Sequence, residues 1–264
     1  MDRYKHLFDL HGKSVALVGA TGLIGTAFAE GLAEYGATIA LMDINQGRCD
    51  ELAKRLKQEY EAQAIGIETN IAKRGSVENA LARILAAFGK VDVLVNSAQN
   101  KTANFFASFE EYTDNDWNQI IDVNLNGVFL TCQVFGKQML KQGKGNIINL
   151  ASTYAIVAPN QKLYEGVKFG SPAAYSASKG GVVAFSNYLA SYWANRNIRV
   201  NMITPHGVYN NHHERFVSNF SQMSPVGRMS QKDEVVGGLI YLASDASTYV
   251  TGHNLIIDGG WSVW

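Results

Sequence analysis

The sequence predicts an α/β protein with a doubly wound, seven-stranded parallel sheet flanked by helices on both faces. Two observations carry this. Seven short, β-branched-rich apolar runs bounded by turn residues recur from one end of the chain to the other. Segments with a helical apolar period separate them, which is the alternation that parallel strands with crossover helices require.

In order, the strands are SVALVGA, TIALMD, AIGIET, VDVLVNSA, GNIINLAS, IRVNMIT and NLIID, each expected to be buried on both faces. The intervening helices are TAFAEGLAEYG, RCDELAKRLKQEY, SVENALARILAAFG, one long helix through WNQIIDVNLNGVFLTCQVFGKQML, then AAYSASKGGVVAFSNYLASYWANR and DEVVGGLIYLAS. Ser171 and Pro172 are expected to cap and start the helix that holds Tyr175 and Lys179. No internal repeat, low-complexity tract or composition break divides the 264 residues, so residues 1–264 are expected to form a single domain.

The composition narrows the function classes. Lys plus Arg and Asp plus Glu number 23 each, so no basic field attracts nucleic acid or an anionic membrane. No run reaches the unbroken apolar length of a membrane span. Cys49 and Cys132 fit no metal-binding spacing and read as reduced thiols, and a cytoplasmic location is expected. The adjacent His212 and His213 lack a third ligand placed by spacing, and no metal site is expected.

GATGLIGTAFAEG joins the first strand to the first helix, with Gly19, Gly22 and Gly25 three residues apart. This is the phosphate-binding turn of a Rossmann-type fold. The first glycine permits the turn, the second admits a pyrophosphate to the backbone, and the third lets helix pack on strand. Asp43 ends the second strand 18 residues beyond Gly25, where a carboxylate accepts both ribose hydroxyls of NAD and repels the extra phosphate of NADP. NAD is therefore the expected cofactor. Asp43 also reads as an N-cap for the next helix, and Arg48 is near enough to weaken the preference by reaching the 2′ position.

In SPAAYSASKGG, Tyr175 and Lys179 share one helix face, four residues apart. With these motifs together, the chain resembles the short-chain dehydrogenase/reductases over its whole length, in their compact single-domain form. VDVLVNSA with Asn96, VNLNG with Asn124, IINLAST with Ser152, YSASK, ITPHGV and NLIIDGGW resemble family motifs in family order. The resemblance implies Asn124, Ser152, Tyr175 and Lys179 as the catalytic group. It implies a cofactor shell of Gly19, Thr21, Gly22, Leu23, Ile24, Gly25, Asp43, Asn70, Ile71, Asn96, Ser97, Ala98, Pro205, Gly207 and Val208, completed by Tyr175 and Lys179. Val18, Gln99 and His206 replace the family's usual Thr, Gly and Gly, and Asn70 an Asp.

The gap between Ser152 and Tyr175 is longer than the family usually has, so an insert at about 153–172 is expected on the substrate side. It is similar to a subgroup associated with surface-sugar and flagellin-modification pathways. With a substrate loop at about 206–228, it offers Tyr154, Tyr164, His206, Asn210, His212 and Arg215 to a hydroxylated or phosphorylated substrate. Each of these has an ordinary reading as a surface-loop residue too.

For the chemistry, a Lys179 ammonium beside the Tyr175 phenol, together with the positive nicotinamide ring, is expected to favour the phenolate, lower its pKa and make it the base. Ser152 would hold the substrate oxygen, and Asn124 a proton-relaying water. The leading expectation is an NAD-dependent sugar oxidoreductase. The alternatives are a 3-oxoacyl or general carbonyl reductase, and a nucleotide-sensing homologue without turnover. The resemblance further implies a homodimer or homotetramer, for which Val128, Phe129, Phe135, Phe185 and Tyr192 offer an apolar face. Trp261 and Trp264 either join an interface or fold back over the site.

Overall fold

The computed structural model describes residues 4–264; residues 1–3 of the expected single domain lie outside the described residues. All seven predicted strands form: β1 (Ser14–Val18), β2 (Thr38–Asp43), β3 (Ala64–Glu68), β4 (Val93–Asn96), β5 (Gly145–Leu150), β6 (Ile198–Pro205) and β7 (Asn254–Ile257). They make one sheet in the order β3-β2-β1-β4-β5-β6-β7, parallel throughout. The order reverses direction between β1 and β4, which opens a crevice at the carboxyl ends of the strands.

The period-2 alternation of each strand feeds two cores. Val15 and Leu17 of β1 face one layer, with Phe28 and Leu32 of α1 (Leu23–Glu34), Leu52 and Leu56 of α2 (Gln46–Tyr60), and Leu239 and Ile240 of α8 (Val236–Ala243). Ala16 and Val18 face the other, with Val77 and Ile84 of α3 (Arg74–Phe88), Phe135 of α5 (Gly127–Gln142), and Val182 and Leu189 of α6 (Ala173–Trp193). Phe28 and Phe135 are wholly buried, one in each layer, and each contributes about 2–3 kcal/mol of burial free energy. The edge strands depart from the expectation of two buried faces. No β7 residue is fully buried, and β3 is buried only at Gly66 and Ile67, because an edge strand has a neighbour on one side only.

Three further departures matter for the site. The long helix expected through residues 117–140 is α4 (Asp114–Ile121), capped by Thr113, then a π turn over Asp122–Asn126, then α5. The wider turn carries Asn124. Ser171 does not cap α6: its hydroxyl pairs with Gln161 of the insert, and Pro172 occupies the capping position without a side-chain bond. The expected loop at 206–228 contains α7 (Glu214–Met223), whose buried Phe216, Asn219 and Phe220 recur at helical spacing. Phe216 and Phe220 form a third cluster with Leu163 of the insert, Met229 and Trp261.

The apolar face expected for assembly is divided. Val128 and Phe135 belong to the core, whereas Phe129 and Tyr192 are exposed and Phe185 is half-buried. Trp261 folds back beneath the site; Trp264 remains exposed. No helix among the described residues is long and apolar enough to cross a membrane.

Candidate active site

The carboxyl ends of β1, β2, β4, β5 and β6 surround a cleft of about 500 Å³. At its β1–β2 end, Gly19 turns with φ +75°, and a Cβ there would lie 2.6 Å from the Ala98 backbone nitrogen. A Cβ on Gly25 would meet the Gly19 carbonyl oxygen at 2.0 Å, so only glycine lets α1 approach the turn this closely. Gly22 stands at the N-cap of α1, with no side chain bonded across the helix start.

Asp43 reaches the cleft from the end of β2. Its Oδ2 accepts from the Thr21 N–H (3.0 Å) and hydroxyl (2.8 Å), and its Oδ1 accepts from the Ile44 N–H (2.8 Å). The expectation that Asp43 caps α2 does not hold. Asn45 is the cap, its side chain accepting from the Arg48 N–H, because it stands one residue before the helix starts. The Arg48 guanidinium donates to the Thr21 carbonyl.

At the other end lie Ser152, Tyr175 and Lys179. Ser152 follows β5, and its side chain is near enough to the Tyr175 phenol to pull its pKa down. Tyr175 and Lys179 occupy successive turns of α6. The Lys179 Nζ donates to the Leu150 carbonyl at 2.7 Å and stands 5.7 Å from the centre of the Tyr175 ring. Burial raises the Tyr175 pKa, opposed by the Ser152 side chain, and burial pushes Lys179 down to about 8. In the protein alone burial is the largest influence on the Tyr175 phenol, so Lys179 without the nicotinamide charge does not bring its pKa down.

Two predicted site residues stand behind the cleft rather than in it. Asn124 is fully buried; its Oδ1 accepts from the Asn100 N–H at 2.7 Å and its amide donates to Ser178. Asn96 lies under the floor, donating to Asn149 Oδ1 and accepting from the Thr131 hydroxyl, both at 2.8 Å. Buried amides need such partners, and these ones are scattered through the sequence. The remaining predicted cofactor residues, Leu23, Ile24, Asn70, Ile71, Ser97, Ala98, Pro205, Gly207 and Val208, line the cleft together with Gly19, Thr21, Gly22 and Gly25.

Beyond Tyr175, the insert and α7 wall the cleft. The Tyr154 and Tyr164 hydroxyls hydrogen-bond each other at 2.7 Å, and burial holds both phenols above their ordinary pKa. His206 lies among the rings of Tyr154, Phe220 and Trp261. Burial pushes it down to about 4 against the pull of Asp258, so it is neutral at physiological pH. Asn210 and His212 also line this end. Arg215 does not; its side chain lies along the Gly166 turn of the insert, since α7 points it away from the cleft. Residues not anticipated from sequence complete the wall: Gln99, Asn100, Lys101, Phe105, Phe106, Phe169, Phe216, Phe220 and Met229. The aromatic pair on α7 was visible as i, i+4 spacing; Lys101 and Phe105 carry no motif.

Comparison with known proteins agrees with this geometry. A family model described as enoyl-(acyl carrier protein) reductase matches residues 19–262. D-threitol dehydrogenase of Mycolicibacterium smegmatis is 37% identical over 261 residues, covering 97% of this chain and 95% of the relative. Post-translational flagellin modification protein A of Campylobacter coli is 30% identical, covering 96% of this chain and all of the relative. The crystal structure of a gluconate 5-dehydrogenase from Burkholderia cenocepacia, in complex with NADP and tartrate, superposes with a TM-score of 0.89 at 30% identity over 98% of each chain. The chain thus belongs to the short-chain dehydrogenase/reductase family, nicotinamide-dependent oxidoreductases acting on CH–OH groups.

Proposed function

We propose that this protein is an NAD-dependent dehydrogenase of a sugar, polyol or related derivative. The observation that carries the reading is a single cleft with a carboxylate beside a glycine turn at one end and Ser152, Tyr175 and Lys179 at the other. The residues fit the cofactor. Gly19 and Gly25 are packed too tightly for any side chain, whereas Gly22 faces open space where a diphosphate needs it. Asp43 offers acceptors to ribose hydroxyls. That favours NAD, although the Burkholderia gluconate dehydrogenase was solved with NADP.

In this reading Ser152 holds the substrate oxygen by its hydroxyl, and Tyr175 receives the hydroxyl proton. NAD, held by the glycine turn and Asp43, would supply the hydride acceptor and a positively charged ring. Burial raises the Tyr175 pKa in the protein alone, so ionisation of the phenol depends on that added charge as well as on Lys179. Lys179, held by the Leu150 carbonyl, would also bind the nicotinamide ribose. Asn124 is a positioning residue that ties the loop following β4 to α6. Residues 1–264 act as one domain, with the insert and α7 as its substrate side. Assembly into a homodimer or homotetramer would use the exposed Phe129 and the stacked Tyr188 and Tyr192. The narrower placement in surface-sugar or flagellin-modification synthesis, in the cytoplasm, draws on the Campylobacter relative.

The test mixes purified protein with NAD or NADP and a panel of polyols, sugars and sugar derivatives, reading reduced nicotinamide by absorbance. Tyr175→Phe is the control. Turnover with NAD that falls about 10²–10⁴-fold in the variant, with NADH binding retained, is expected. Unchanged turnover in the variant overturns the assignment of Tyr175, and a preference for NADP overturns that of Asp43.

A further inference from the structure

The charges lining the cleft are unevenly settled. Asp43, at the β2 end, is the only carboxylate among the described lining residues. Arg48 donates to the Thr21 carbonyl and Lys179 to the Leu150 carbonyl, so both of these cations have acceptors. Lys101 has none. Among the described residues its ammonium meets only the face of the Phe105 ring, 5.7 Å from the centroid. Lys101 is exposed at the cleft wall, where its neighbours lower its pKa and no carboxylate raises it.

The chain around Lys101 is fixed. The N–H of Asn100 is held by the buried Asn124, and Phe105 is 4% exposed, its ring in edge contact with Tyr175 at 5.9 Å. One ring therefore separates the Lys101 ammonium from the reactive phenol. His212, across the cleft, is stacked on Phe216. Its Nδ1 accepts from the Asn210 N–H at 3.1 Å, which leaves the proton of the neutral ring on Nε2. Burial and then the Lys101 charge hold this imidazole below its ordinary pKa, so it stays a neutral donor. Two donors and no acceptor carboxylate meet at the end of the substrate space away from Asp43.

Resting on the reading of the site as a sugar-type dehydrogenase, we propose that Lys101 and His212 bind an anionic group on the substrate. The substrate class is a short polyhydroxylated chain ending in a carboxylate or phosphate, with a hydroxyl at Tyr175 and the anion at Lys101. A neutral polyol leaves the Lys101 charge without a partner in the cleft, whereas an anionic one would give it a charge-assisted hydrogen bond. Arg215, a candidate for this task from sequence, has no part in it.

The test measures binding rather than turnover. The protein–NADH complex is titrated by calorimetry with a six-carbon aldonate, the corresponding sugar-alcohol phosphate and the neutral sugar alcohol. Wild type, Lys101→Met and Lys101→Arg are compared; Met keeps an apolar stem over Phe105 and removes the charge. Wild type is expected to bind one anion about tenfold or more tighter than the neutral alcohol. Lys101→Met should erase that gap without weakening the neutral ligand, and Lys101→Arg should restore it. Which anion shows the gap distinguishes carboxylate from phosphate. Equal affinity for neutral and anionic ligands, a gap that survives in Lys101→Met, or no anion binding at all overturns the proposal. Turnover of neutral polyols by a protein that shows no gap in favour of either anion counts against it while leaving the dehydrogenase reading intact. Anion binding that depends on Lys101, with no turnover of any alcohol, sinks the dehydrogenase reading and leaves the anion site.

Discussion

Gly22 and Gly25 stand three residues apart in one turn, yet alanine should affect them in opposite ways. In Gly25→Ala the new methyl would lie 2.0 Å from the Gly19 carbonyl oxygen, 2.9 Å from its carbon and 3.0 Å from the Ala20 carbonyl carbon. All three are backbone atoms, so no rotamer change relieves the overlap, and α1 has to move off β1. Overpacking of this kind costs about 1–3 kcal/mol, against at most about 1 kcal/mol gained by replacing glycine in a helix. A net loss of about 1–2 kcal/mol, seen as a drop of about 2–8 °C in Tm for a chain of this size, is expected. In Gly22→Ala the methyl meets only the Gly19 oxygen, at 3.4 Å, and the backbone angles of φ −75° and ψ 172° suit alanine. Stability should change by no more than about 1 kcal/mol, the scale of an N-cap preference. The methyl would instead occupy the space reserved for a diphosphate, weakening NADH binding about tenfold or more. Thermal melts without cofactor and NADH fluorescence titrations separate the two effects. If Gly22→Ala melts as early as Gly25→Ala, or binds NADH as wild type does, the division of labour in this turn is refuted.

Two further outcomes follow from burial. With Lys179 pushed down to about 8, the unfolded chain keeps a proton that the folded one loses as pH rises from there towards 10.5. Stability of the cofactor-free protein should therefore rise by up to about 3 kcal/mol across that window, relative to Lys179→Met. Denaturation of both proteins at about pH 7 and pH 10 checks this, and parallel behaviour of the two refutes it. Trp261 lies 4.5 Å from the His206 ring and 4.9 Å from Phe220, whereas Trp264 is 78% exposed. Trp261→Ala should lose about 2–4 kcal/mol and lower kcat/KM, while Trp264→Ala should stay within about 0.5 kcal/mol by urea denaturation.

The sheet was legible because central parallel strands need apolar residues on both faces, and runs such as TIALMD and GNIINL offer little else. Its edges were not, since β7 alternates too weakly to distinguish a covered face from an open one. The π turn at Asp122–Asn126 left no trace in the apolar period of the surrounding helix. Helix α7 did leave one, in Phe216 and Phe220, but its polar neighbours concealed it. The tetrad was recognised by motif, and three of its members, Ser152, Tyr175 and Lys179, share the cleft. Asn124 and Asn96 fall short of the cleft because their partners, Asn100, Ser178, Asn149 and Thr131, are set by packing that spacing does not reveal. The electrostatics were least legible. A Tyr–Lys pair reads as attraction in a sequence, and only the enclosed structure shows desolvation outweighing it.

The strand order has a consequence for how the chain is made. β1 leaves the ribosome first, yet it lies inside the sheet, with β2 on one flank and β4 on the other. Its second flank cannot be covered until residue 96 has been synthesised, and β4 in turn waits for β5 to end at residue 150. Throughout that interval a nascent chain carries an apolar strand with one row of amides and carbonyls unpaired, a template for joining another chain. A pause in translation before residue 96 would act on this protein at that stage, when α1 and α2 can cover one face of the unfinished sheet and only α3 is available for the other.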